Sequence, residues 1–156
     1  MKMRNSKLQS SFELLITLSF GLAILLPIVV LAFIQMATAS STLSSIEAQQ
    51  AASKLASIAT VVGSEGPMAK QVIQIEMPPG VQYIYVGNAS NGVGHQIIFE
   101  VRSPTGLSYV TAYSPVNVSG VLGGIIAPGT YLVNETAYSA CPHQKPVPCV
   151  YITPAV

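Results

Sequence analysis

The strongest constraint on this chain is a run of 23 residues without a charge, "LLITLSFGLAILLPIVVLAFIQM" at positions 14–36. At about 1.5 Å per residue it makes roughly 35 Å of helix, enough to cross the hydrocarbon of a bilayer. Only Thr17, Ser19 and Gln35 are clearly polar, so such a helix has no polar face. A soluble core helix in a chain of 156 residues would need one. The run therefore reads as a membrane span. Pro27 sits in its middle, where the missing N–H and the ring predict a kink or loosening near residues 23–27. Neighbouring helices can cover such a break inside a membrane.

Charge is scarce, 8% of residues, where soluble globular chains carry about a quarter. It is also unevenly placed. Lys2, Arg4 and Lys7 precede the span, and the next cation is Lys54, which predicts a cytoplasmic N-terminus with the rest of the chain outside. From residue 9 onward four basic residues face six Glu, too few cations to follow a phosphate track, so no nucleic-acid partner is expected. A secretory signal peptide is the rival reading. "Ala37-Thr38-Ala39" before Ser40 has the small residues of a cleavage site. Against it, the apolar run exceeds the usual 7–15 residues of such a peptide, and a carboxylate, Glu13, stands at its leading edge.

That leading edge reads "QSSFE" at 9–13. Followed at once by the apolar run, it resembles the class III signal peptide of archaeal type IV pilin-like proteins. The family's pattern is a short basic leader, Gln, small residues, an apolar residue, Glu four places after the Gln, then a long hydrophobic helix. The resemblance covers about the first 36 residues, with Gln9, Ser11, Phe12, Glu13 and the span in register. It implies a leader of residues 1–8, cleavage by a prepilin peptidase between Leu8 and Gln9, and a mature chain whose fifth residue is Glu13. It also implies assembly of the helices at 9–36 into a homo-oligomeric filament by a dedicated machinery. The family usually has a small residue, often Gly, where this chain has Leu8.

The physical chemistry of Glu13 agrees with that reading. An unpaired charge in apolar surroundings is costly. A cut before Gln9 creates an α-ammonium, and staggered copies can bring one chain's amine to the next chain's Glu13. Only the correct register pairs both, so the pair acts as a register device. Alternatively, Glu13 sits at the membrane interface of a lone anchor and reaches headgroup water.

Residues 37–62, "ATASSTLSSIEAQQAASKLASIATVV", contain no Gly or Pro. Leu43, Ile46, Ala51, Leu55, Ile58 and Val62 recur near every three or four positions, predicting an amphipathic continuation of the span. "GSEGP" at 63–67 should end it, within a linker at 63–70. From 71 to 156 the period becomes two. "QVIQIEM", "VQYIYV", "HQIIFEVRS", "LSYVTAY", "APGTYLVNETAYS" and "CVYIT" alternate between Gly-, Pro- and Asn-rich breaks. The fold class expected is α+β, a long N-terminal helix followed by a small antiparallel β-sheet or sandwich head.

Asn88, Asn117 and Asn134 each open an Asn-x-Ser/Thr site, so three of the four Asn beyond the helix are potential glycan acceptors. Asn and Ser also belong in turns, and that reading stays open. Cys141 and Cys149 read as a disulfide on an extracytoplasmic domain. Metal binding with His143 and His95 is the rival, although Cys-x-His is not a common zinc spacing. No metal and no cofactor are expected. With two His and no Asp, no catalytic constellation is legible. The expectation is a structural, non-enzymatic subunit of a surface filament whose β head serves adhesion. The alternative is a monomeric binding module, membrane-anchored or secreted.

Overall fold

The computed structural model describes residues 4–90, 92–103, 106–142 and 146–155, with side chains from residue 11 onward. One helix, α1 (Arg4–Glu65), precedes six strands. They are β1 (Lys70–Met77), β2 (Val81–Gly87), β3 (Gly94–Ser103), β4 (Gly106–Gly120), β5 (Gly129–Tyr138) and β6 (Cys149–Pro154). All six lie in a single sheet of order β1-β5-β6-β4-β3-β2. The α+β class with one long N-terminal helix is thus observed. The sheet is mixed, because β4 and β6 run parallel over Val118–Gly120.

The chain divides into two compact units, residues 1–39 and 40–156. In the first, every described side chain is exposed, and Pro27 lies inside a helix that continues through it. The second unit starts within α1, so the helix's C-terminal half belongs to the core of the head.

That half buries Ser44, Ala48, Ala51, Ala52, Leu55, Ala56, Ala59 and Val62. The stripe expected from the sequence is therefore correct at Ala51, Leu55 and Val62, half-buried at Ile58, and wrong at Leu43 and Ile46, which are exposed. Size explains the difference. The sheet supplies the large side chains, Ile75, Ile84, Ile97, Phe99 and Ile152, and the helix answers with alanines that let its backbone come close. The helix ends where Gly66 takes φ 95°, a conformation that Gly adopts without a Cβ penalty. The chain then hooks onto β5, through Met68 N–H to the Ala137 carbonyl (2.8 Å) and Ala137 N–H to the Ala69 carbonyl (2.9 Å).

The connection between β1 and β2 governs the shape of the sheet. These strands are opposite edges, yet only Pro78, Pro79 and Gly80 join them. Five inter-strand gaps would separate the edges of a flat sheet by about 24 Å. Four peptide units from Met77 to Val81 reach roughly 14 Å at most. The sheet must therefore curl until its edges meet at this corner. Twist of roughly 20–25° per strand pair accumulates over the five steps and turns β2 far from the direction of β1. Strand β4 pairs with β3 from Gly106 to Tyr113 and again, after a register shift, at Val118, and its last three residues also pair with β6. The corner is locked by the Arg102 N–H donating to the Gly80 carbonyl at 2.7 Å. On the other edge, the Lys54 ammonium donates to the Gln74 carbonyl at 2.7 Å and occupies an acceptor that an edge strand would expose.

Candidate functional site

The first candidate is the N-terminal helix. Leu8 and Gln9 lie in α1, but their side chains fall outside the described residues. Phe12 and Glu13 are exposed, as are the large apolar side chains from Leu14 to Met36, between 48% and 72%. Those values matter because an amphipathic helix docked on its own protein would bury one face. This one buries none among its described residues, which makes it a candidate for contact with a bilayer or with other helices. Among the described residues it is the one helix long and apolar enough to cross a membrane. The Thr17 hydroxyl turns back to the carbonyls of Glu13 (3.1 Å) and Leu14 (3.0 Å), and the Thr38 hydroxyl to that of Ile34 (3.0 Å). Hydroxyls satisfied within their own helix are compatible with apolar surroundings.

The second candidate is the outer face of the head. The register places Tyr83 beside Glu100 and Glu100 beside Tyr109; Tyr85, Ile98 and Thr111 form the next row, and Gln96 with Tyr113 the one after. Leu107, Tyr109, Thr111 and Tyr113 stand on one side of β4 as the alternation predicts, all exposed. Tyr83 and Tyr85 have ring centroids 4.5 Å apart, and His95 stacks on Tyr113 at 5.8 Å. Desolvation, followed by the Glu100 carboxylate, holds the Tyr85 phenol above its ordinary value. Arg102 stands beside Leu107, so four tyrosines with Glu100 and Arg102 make an amphipathic, nearly neutral patch. Tyrosine is suited to such contacts because a rigid apolar ring carries a polar tip.

The three sequons are not equivalent. The Asn88 carbonyl oxygen accepts from Ser90 N–H (2.9 Å) and Gly92 N–H (2.7 Å) in the exposed β2–β3 turn. The Asn117 amide is half-buried and donates to the Pro148 carbonyl at 3.1 Å. Asn134 is half-buried in the middle of β5, with the Thr136 hydroxyl at 3.5 Å.

Cys141 and Cys149 form a disulfide with Cα atoms 5.4 Å apart, closing the β5–β6 connection beside the Cys141 N–H to Val147 carbonyl bond (2.9 Å). The bridge removes both thiolates from metal binding. His143 lies outside the described residues, and His95 Nδ1 faces the Ser114 carbonyl at 3.1 Å. Among the described residues no three metal-ligating side chains come together.

Sequence reasoning missed Glu135. Its side chain is fully buried in β5, and both carboxyl oxygens lack a hydrogen-bond partner. Burial alone pushes its pKa up to about 8. The signal was present in "VNETA", where Glu135 shares the parity of the inward-facing Val133 and Ala137.

Comparison with family models, with curated proteins and with solved structures finds no match for this chain.

Proposed function

We propose that this chain is a structural subunit of an archaeal type IV pilus-like surface filament. In this reading a prepilin peptidase cuts between Leu8 and Gln9, and the exposed helix assembles with copies of itself. The β head stays outside the cell, with its tyrosine face available for adhesion. The observation that carries it is a carboxylate, Glu13, heading an apolar helix that buries no face of its own and continues into the core of a head domain. A simple anchor needs the apolar run and has no use for the carboxylate. A filament of staggered helices uses both, pairing Glu13 with the new α-ammonium of a neighbour. No catalytic role is assigned to any residue.

The N-terminal residue of the mature protein tests the reading. Gln9 supports it, Met1 supports a single-pass anchored binding module, and Ser40 supports a secreted one. Once processing at Gln9 is established, Glu13→Ala should still insert in the membrane and be cut, yet assemble few or no filaments. Normal filaments from that variant would refute the charge-pairing account.

A further inference from the structure

Glu135 has no part in that function, and its surroundings are unusual for a carboxyl group. It points inward from β5 between Val133 and Ala137, with Gln71 opposite on β1 and Ile152 opposite on β6. Both of its oxygens are without partners. The face of α1 turned to the sheet is made of Ala48, Ala51, Ala52, Leu55, Ala56, Ala59 and Val62. The charged residues of the elements packed around it stand elsewhere: Glu47, Lys54 and Glu65 on the part of α1 from residue 40 onward, and Lys70 and Glu76 on β1, are all exposed or half-exposed. Strands β5 and β6 contribute only Tyr131, Tyr138 and Tyr151 as further titratable groups, none of them buried. Among the described residues nothing nearby offers a charge to offset an ionised carboxylate, and an unpaired buried charge is far more costly than a neutral polar group.

We propose that Glu135 is a proton switch in the core of the head. Protonated, it is a neutral side chain that the sheet and helix accommodate. Ionised, it drives β5 away from α1, so the head is held most firmly in acidic surroundings and loosens as the medium turns alkaline. The scarcity of charge fits this design. With no Asp and few Glu in the chain, acid has few carboxylates to neutralise.

The sign follows from linkage. In the unfolded chain the carboxyl releases its proton near 4.5, whereas in the folded head it holds the proton up to about 8. Below the lower value both states are protonated and the stability is fully present. Across the window the unfolded chain has lost a proton that the folded head keeps, so the unfolding equilibrium constant rises about tenfold per pH unit. Above the upper value both states are ionised and the loss is complete.

The experiment is urea unfolding of the full chain in detergent micelles from pH 5 to 9, followed by far-ultraviolet circular dichroism, for the wild type, Glu135→Gln and Glu135→Met. The wild type should unfold progressively more easily from pH 5 to 8. Both variants should lack that component of the pH dependence, because neither side chain can ionise. The same slope in wild type and variants would overturn the proposal, as would a wild type that is flat across this range. Failure of both variants to fold at pH 5 would also overturn it, since a neutral carboxyl in an apolar site should be replaceable by a neutral side chain of similar size.

Discussion

Replacing Gly80 with Ala should unfold the head more readily than replacing a glycine that is free of both strain and close contact, and the structure sets the size of the effect. Gly80 has φ +91°, and a Cβ built there would stand 2.5 Å from the Arg102 carbonyl oxygen. An L-residue forced into left-handed backbone costs about 1–2 kcal/mol. The close approach forces the backbones apart and threatens the Arg102 N–H to Gly80 carbonyl bond, a loss of about 1 kcal/mol. The total is about 2–3 kcal/mol, or roughly 10 °C in Tm for a domain of this size. Two other glycines separate the terms. Gly66 has φ +95° but nothing within 4 Å of its Cβ, so Gly66→Ala should show only the backbone cost. Gly124 has neither problem, and Gly124→Ala should lie within about 0.5 kcal/mol of wild type. The assay is thermal and urea unfolding of the three variants side by side. If Gly80→Ala were no worse than Gly66→Ala, the close approach would carry no energy, and the argument that this corner holds the two sheet edges together would fail.

Removal of the Cys141–Cys149 bridge by Cys141→Ser with Cys149→Ser frees a loop of eight residues' separation. It should cost about 2–3 kcal/mol on the chain-entropy model, read as a lower urea midpoint that reductant reproduces in the wild type and leaves unchanged in the variant. Of the three sequons, Asn88 should carry the glycan, because its amide is exposed in a turn, whereas Asn117 and Asn134 are half-buried. Intact-mass measurement of Asn88→Gln should show loss of the sugar mass, and an unchanged glycan mass would transfer the assignment to a strand site.

Much of this fold is legible in the chain because its signals are local. Alternation in "QVIQIEM" puts Ile73, Ile75 and Met77 inside, and they are buried. The apolar run lies within the helix, the Gly66–Pro67 stop ends it, and the paired cysteines form their bridge. What escaped depends on partners distant in sequence. A hydropathy pattern ranks Leu43 and Ile46 above Ala52 and Ala59, yet the sheet's bulk chooses the alanines. The parallel β4–β6 pair and the curl depend on which strands meet far along the chain, and no periodicity reports that. Glu135 escaped for another reason. As the middle residue of a sequon it reads as surface, while its parity in β5 reads as core, and only packing decides between them.

Each of the two units carries a carboxyl group whose charge is costly in apolar surroundings, Glu13 in the first and Glu135 in the second, and the proposed solutions to that cost are opposite. On the proposed function, Glu13 is useful as a charge, because a filament would supply the ammonium that meets it. Glu135 is tolerated as a neutral acid, because its surroundings supply nothing to meet a charge. The same conservative change, Glu to Gln, therefore separates them. At residue 13 it removes the attraction that sets the register and should cost filaments while leaving the pH dependence of head unfolding intact. At residue 135 it keeps the neutral shape and should preserve filaments while abolishing that dependence. Both proposals ask what could arrive to neutralise a carboxylate in apolar surroundings: a second copy of the chain in one, a proton in the other.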